Sequence, residues 1–522
     1  MRADGSRRGA GGDLTRVQIR GSTLLLAGQA FAVVSNLAMQ VLLVRYLSKS
    51  GFGLFAFALS VLTVGQALAA FGLRRGVGRF LPIYEERGDL DKVAGTLVFA
   101  LAMVLSLGLA VVLVVIGLGN VIEGSFSGQP QASAVLAALI VLAPIQAVAD
   151  LLDGVFAVFT RPRAILLRKF VYTPVMRLIM VVALSLSGAG VVPFAIGYTV
   201  IGGAGTVVYG AALVPTLRER RLWERLRGRR LKFPIRELLS FTVPLLTNDL
   251  AFAFINAIGA ILLGVLTGAQ DVADLRAVVP VAMTMSYVLS SFGLLFTPIA
   301  ARLFARGDAA ELNRLYWQTA VWTTVLSYPI FLVATGWAGP LTRLLFGDRY
   351  SSSASLLAVL AVGRFITAAA GPNGVLLGVY GHVRYLVATN VVSMITSLTL
   401  SLALIPPFGA MGAAISATAT LTLFNGVWQV GLARRTHVHG VDPSYAGVYV
   451  TIVIATAVFF AIQLAFSPPP VGSAVLVALV SAAVLVITRR RLALTETFPE
   501  LARLPVVRVL AGPGRASARP PV

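Results

Sequence analysis

VAGTLVFALAMVLSLGLAVVLVVIG, residues 93–117, runs without one charged side chain. A helix rises 1.5 Å per residue, so such a run reaches across a hydrocarbon core of about 30 Å. It also satisfies its own backbone hydrogen bonds there, which lipid cannot do for it. Outward from this stretch the pattern repeats. Apolar runs fall at 21–46, 52–73, 132–159, 165–187, 191–215, 237–266, 273–301, 315–338, 353–380, 385–405, 408–432, 446–466 and 471–488. The chain of 522 residues is 57% hydrophobic and 12% charged, too apolar for a water-soluble core to hide. The reading is an all-α polytopic membrane protein with about 14 transmembrane helices. Ala30-Phe31-Ala32 resembles a signal-peptidase site, but the apolar run continues past it to Val44, so it reads as part of an uncleaved first span.

Composition closes several routes. There is no cysteine, which excludes disulfides, thiolate catalysis and Cys-ligated metal centres. The three histidines, His382, His437 and His439, sit at span ends or in short loops, so no cofactor or metal is expected. The net charge of +22 reads as topology signals and contacts to anionic membrane lipids, with no nucleic-acid partner.

The basic residues sort by side. With the N-terminus inside, the inner segments carry 36 Lys and Arg. The outer loops carry three, Lys49, Arg343 and Arg349; four more, Arg45, Arg177, Arg276 and Arg364, lie within spans. One extra or missing span would destroy that split. The expectation is a cytoplasmic (inner) membrane location with both termini cytoplasmic.

The longest inner segment, 217–236, divides the chain, and matching pieces recur on either side of it. Arg87-Gly88-Asp89 answers Arg306-Gly307-Asp308, and Asp153-Gly154-Val155 answers Asn373-Gly374-Val375, at a common offset of about 220 residues. Two six-helix halves in parallel orientation follow, as in transporters built from repeats. The expected domains are a basic tail 1–20, an N-lobe 21–216, a basic linker 217–236, a C-lobe 237–433, two further helices within 444–488, and a tail 489–522.

Three stretches carry a family resemblance. They are Leu43-Val44-Arg45-Tyr46-Leu47-Ser48-Lys49-Ser50-Gly51-Phe52-Gly53-Leu54, then Leu344-Leu345-Phe346-Gly347-Asp348-Arg349-Tyr350, then Leu404-Ile405-Pro406-Pro407-Phe408-Gly409-Ala410-Met411-Gly412-Ala413-Ala414-Ile415-Ser416. In this order the chain resembles the polysaccharide flippase branch of the multidrug/oligosaccharidyl-lipid/polysaccharide exporter superfamily over roughly 15–440. The resemblance implies a V-shaped two-lobed bundle with a central cavity. It also implies a flippase moving a polyprenyl-diphosphate-linked saccharide to the outer leaflet. Its protein partners, if any, would be the polymerase and glycosyltransferases of the same pathway.

Charge inside a bilayer costs about 2.5–3.5 kcal/mol per residue on insertion scales, so such residues are candidates for function. Arg177 and Arg364 lie about a dozen residues inside their spans and are expected to face the cavity. Arg45 and Arg276 lie near outer span ends, where a stabilising snorkel and a substrate role are equally open. Guanidinium binds phosphate bidentately, which is the reason a flippase would hold these four as substrate-binding residues. Asp150, Asp153, Asn248 and Asp249 are coupling-ion candidates; the competing reading pairs Asp150 or Asp153 with a buried arginine such as Arg177. Gly371-Pro372-Asn373-Gly374 predicts a helix break, hinge or packing irregularity.

The sequence thus favours a flippase for lipid-diphosphate-linked oligosaccharide over a cation-coupled small-molecule or drug exporter of the same fold. An enzyme fits less well, since the outer loops are short; the lack of a phosphate-cradling Gly-rich Lys-Ser/Thr loop argues against direct ATP drive.

Overall fold

The computed structural model describes residues 31–119, 131–159, 162–220, 222–227, 231–436 and 443–492, with a few isolated residues besides. The expected tail 1–20, the start of the first span, and all of the expected tail 489–522 beyond Leu492 lie outside the described residues. Every element among the described residues is helical. In chain order they are α1 (Phe31–Tyr46), α2 (Lys49–Ala70), α3 (Leu73–Glu86), α4 (Leu90–Gly117), α5 (Ala132–Ile140), α6 (Leu142–Val158) and α7 (Arg163–Leu186). Then come α8 (Val191–Glu219), α9 (Leu222–Arg227), α10 (Ile235–Leu266), α11 (Ala269–Ala305), α12 (Ala309–Gly336), α13 (Ala338–Phe346) and α14 (Ser353–Ala370). The last are α15 (Asn373–Val379), α16 (Val383–Arg435), α17 (Pro443–Phe466) and α18 (Pro470–Leu492). Among the described residues twelve helical stretches are long and apolar enough to cross a membrane. This is a multi-pass membrane protein.

The count of spans differs from the expected fourteen for identifiable reasons. The runs at 385–405 and 408–432 join as α16, whose 53 residues would extend roughly 80 Å if straight. Gly409 interrupts it with φ 55 and ψ −133, just past Pro406-Pro407. A side chain there would also meet Asp271 Oδ2 at 3.0 Å. The first run is described only over Phe31–Tyr46, too short to be scored as a full span. The segment 74–92, expected as a loop, contains α3. Its Leu73, Val77, Leu81 and Tyr84 recur at helical spacing and are buried, while its arginines take the other side. Phe71 and Gly72, both left-handed, bend the chain between α2 and α3.

The chain packs as two compact units, Met1–Ala277 with Met394–Ala413, and Val278–Ser393 with Ala414–Val522. In the first, α3, α4, α6 and α8 enclose a core of Leu81, Val93, Leu151, Phe156 and Leu213. There α2 approaches the start of α11 backbone to backbone: a Cβ on Gly53 would overlap the Ala269 carbonyl. In the second, Phe296, Tyr316, Trp317, Leu376 and Leu432 form the core. The predicted break falls between α14 and α15, at Gly371 and Pro372. The carbonyls of Ala368, Ala369 and Ala370 beside it each accept from a side-chain hydroxyl, Ala368 also from the capping Gly371 N–H at 3.2 Å. Thr323 donates to Ala368 (2.8 Å), Tyr449 to Ala369 (3.0 Å) and Tyr316 to Ala370 (2.7 Å).

The matching Arg-Gly-Asp triplets are built alike. Gly88 and Gly307 have φ of 70 and 73. Asp89 N–H donates to the Tyr84 carbonyl and Asp308 N–H to that of Leu303, at 3.0 and 3.1 Å. Each aspartate then caps the next helix, accepting from Lys92 N–H (3.2 Å) and Glu311 N–H (3.0 Å).

Candidate functional site

Helix α2 sits between two guanidinium groups. Arg177, on α7, lies 3.6 Å above the Tyr198 ring centroid and donates from Nη1 to the Tyr198 hydroxyl at 2.7 Å. Tyr198 packs edge-on against Phe55 of α2, with centroids 5.6 Å apart. Arg276, on α11, donates from Nη2 to Ser60 Oγ at 2.5 Å, and Ser60 passes its own proton to the Ala56 carbonyl at 2.6 Å. The Nε atoms of both arginines are buried with no hydrogen-bond partner among the described residues. Among the described residues no carboxylate pairs with either, and the charged group acting on Arg177 is another cation, Arg168. Phe55 and Ser60 are five residues apart, which turns them to different faces of α2. The two arginines therefore do not form one cluster.

The acidic pair is held elsewhere. Leu166–Tyr172 of α7 is a π-helix, whose wider turn brings two successive cations to one carboxylate. Lys169 lies 3.4 Å and Arg168 3.9 Å from Asp153, which also accepts from the Tyr209 hydroxyl at 2.9 Å. Arg168 further stacks over the Tyr209 ring. Asp153 is 5% exposed. The competing reading, Asp150 or Asp153 paired with Arg177, gives way at Asp153 to pairing with Lys169 and Arg168, eight and nine residues before Arg177 on the same helix. Asp150 accepts from Gln66 Nε2 at 2.8 Å, within electrostatic range of Lys169 and Arg74. Gly154 permits this packing, because a Cβ there would come within 2.9 Å of the Arg74 carbonyl. The matching Asn373-Gly374 repeats the logic with neutral groups. Asn373 bonds to Asn425 at 3.4 Å, and Gly374 lies against the Trp428 ring.

Asp249 pairs with Arg75 at 2.7 Å, both about a third exposed. Asn248 beside it is exposed. Arg45 is exposed at the end of α1. Arg364 belongs to the second unit, half-buried on α14, where Tyr287 of α11 acts on it electrostatically.

The basic linker holds partners that sequence reasoning did not assign. Arg220 pairs with Glu85, Arg225 with Asp91 (3.0 Å) and Lys232 with Asp89 (3.9 Å). Just beyond it, Glu237 accepts from the Tyr84 hydroxyl at 2.6 Å and lies 3.9 Å from Lys92. Acids of 85–91 thus neutralise part of the charge that composition alone assigned to lipid. The only sequence signal was a cluster of four acids, at 85, 86, 89 and 91, in an otherwise basic loop.

This arrangement of helices has counterparts among solved structures. An inward-closed lipid II flippase MurJ superposes with TM-score 0.68 at 10% identity, covering 90% of this chain and 99% of that one. An inward-facing multidrug resistance MATE family transporter of the MOP superfamily superposes with TM-score 0.61 at 15% identity, covering 77% and 94%. The fold is that of the MOP-superfamily transporters. By sequence, an uncharacterized membrane protein of Methanocaldococcus jannaschii is 25% identical over 394 residues, 72% of this chain and 76% of that protein. The model of the family described as "Polysaccharide biosynthesis protein" matches residues 19–304, and the chain belongs to that family.

Proposed function

We propose that the protein is a flippase carrying lipid-diphosphate-linked oligosaccharide across the cytoplasmic membrane for cell-surface polysaccharide synthesis, and not an enzyme. One observation supports this most: Arg177 and Arg276 are hydrogen-bonded to neutral hydroxyl oxygens and to no carboxylate among the described residues. A charge without an internal counter-charge at that depth is costly. An anionic cargo would provide that counter-charge, with bidentate hydrogen bonds to its phosphates. A cationic drug would meet repulsion instead. Arg364 and Arg45 complete the proposed substrate-binding set, and family membership adds weight to a saccharide cargo.

In this reading both termini are cytoplasmic and two six-helix lobes, 21–216 and 237–433, flank the 217–236 linker. Asp150, Asp153, Asp249 and Asn248 are the groups proposed to couple transport to a cation. The basic residues left unpaired by the acids of 85–91 contact anionic lipid. Pathway glycosyltransferases and a polymerase are the proposed partners.

The test is reconstitution. Proteoliposomes carrying the purified chain and a polyprenyl-diphosphate-linked saccharide are probed with an impermeant lectin. Protein-dependent exposure of the saccharide is the expected result. Efflux of a cationic dye with no movement of the lipid would overturn the reading in favour of a drug exporter.

A further inference from the structure

The first unit holds a cavity of about 440 Å³ that none of the candidate residues enters. It lies where the turn between α1 and α2, the start of α5 and the turn between α7 and α8 meet. That is the end of the unit opposite the basic loops. Tyr46, Ser48, Ser50, Gln131 and Gly190 are among its lining residues.

The lining has a chemistry. Tyr46 is fixed at both ends: its hydroxyl donates to the Ala189 carbonyl at 3.1 Å and its ring packs on Phe194, centroids 5.6 Å apart. Its ring is thus a rigid apolar surface with a polar tip. Around it stand short neutral side chains. Ser48 Oγ accepts from Gly51 N–H at 3.1 Å and keeps its own proton to give. The Ser50 hydroxyl and the Gln131 amide bond to no other described residue. Hydroxyls and an amide both donate and accept, which suits a ligand whose groups do the same. No ionised side chain is among its described lining residues. Lys49, between two lining serines, turns to Asp274 at 2.8 Å.

A rigid ring beside neutral donor-acceptors, in a volume within the range of about 300–1,000 Å³ usual for small-molecule sites, fits an uncharged polyhydroxylated ring. We infer that this cavity is a saccharide subsite, binding one or two neutral sugar units. That the sugar arrives on a lipid rests on the flippase reading; the site itself does not.

Gly190 supplies the test variant. Its backbone is extended, and a Cβ built on it meets no atom within 4 Å, so a large side chain enters without backbone strain. The full chain in phospholipid nanodiscs is presented with methyl glucoside, methyl mannoside and methyl N-acetylglucosaminide, and saturation transfer to their ring protons is recorded by NMR. Transfer is expected to at least one glycoside, kept in Gly190→Ala and lost in Gly190→Trp. No transfer from the parent chain to any of the three, or equal transfer in Gly190→Trp, overturns the inference. The reconstituted flipping assay separates the sources. A tenfold slower Gly190→Trp variant assigns the subsite to the lipid-linked sugar, and unchanged flipping with lost transfer assigns it to free sugar. Glycoside binding by a parent chain that flips no lipid-linked saccharide supports the subsite and removes the flippase reading alone.

Discussion

Arg177 rests on the face of Tyr198 and hydrogen-bonds the hydroxyl of the same ring, at 3.6 Å to the centroid and 2.7 Å to the oxygen. The tyrosine holds the cation without neutralising it. A desolvated cation–π contact is worth about 2 kcal/mol and a hydrogen bond to a charged group about 1.5–3 kcal/mol. Those magnitudes keep the guanidinium in place, and its charge remains available. Arg177→Ala is expected to abolish flipping with membrane protein levels near normal, and Arg364→Ala likewise. Arg→Lys should restore part of the rate, because an ammonium lacks the planar fork. Tyr198→Phe should fall between, keeping the ring and losing the acceptor. Wild-type flipping in both alanine variants would remove the substrate-binding assignment; disappearance of the variants from the membrane would make the arginines structural.

The two acids of α6 should separate by phenotype. Asp153 gathers Lys169, Arg168 and the Tyr209 hydroxyl. Removing one member of a buried charge group costs about 3–5 kcal/mol, and less here because Lys169 is 42% exposed. Asp153→Ala is therefore expected to lower the melting temperature and the membrane level. Among the described residues Asp150 has a single hydrogen-bond partner, the neutral Gln66, from which an amide oxygen in its place can also accept. Asp150→Asn should keep normal levels and, if Asp150 couples transport, lose the response to an imposed proton or sodium gradient. An unchanged gradient response would exclude that coupling role.

Hydropathy carried most of the architecture because a bilayer demands long apolar helices and little else. Residues 93–117 declare their helix without ambiguity, and the paired Arg-Gly-Asp turns were visible as words before they were visible as geometry. The break at Gly371-Pro372 was equally plain. What stayed hidden depended on partners distant in sequence. Helix α3 reads as a charged loop because its arginines outweigh the buried Leu73, Val77, Leu81 and Tyr84. The π-helix at Leu166–Tyr172 has no hydropathy signature, yet it decides that Arg168 and Lys169 reach Asp153 instead of Arg177 doing so. Likewise, nothing in Tyr198 or Ser60 alone announces an arginine above it.

On the basic face, exposure ranks the contacts. The Arg225–Asp91 pair is open to solvent, and exposed pairs are worth about 0–1 kcal/mol. The Tyr84 hydroxyl is different. Its ring is 1% exposed and its acceptor is Glu237 at 2.6 Å. Losing the partner of a buried donor costs about 1–3 kcal/mol. Glu237→Ala should therefore destabilise the detergent-solubilised protein measurably in a thermal-shift assay, and Asp91→Ala should not. The reverse order would show that the linker, not the Tyr84–Glu237 contact, anchors this face.

The absence of cysteine makes the topology directly testable, since every introduced thiol is the only one in the chain. The proposed map, drawn from the split of 36 inner to three outer basic residues, has 217–236 in the cytoplasm and the loop around Asp348 outside. Glu224 and Ser352 are exposed at these two places. Neither makes an ion pair or side-chain hydrogen bond among the described residues, so replacing them disturbs little. In intact cells a membrane-impermeant maleimide should label Ser352→Cys and spare Glu224→Cys; permeabilisation should expose the latter. Labelling of Glu224→Cys in intact cells would invert the map. Labelling of both would mean an even number of crossings between them, placing an extra or missing span between α9 and α14 and undoing the two-fold repeat on which the lobe assignment depends.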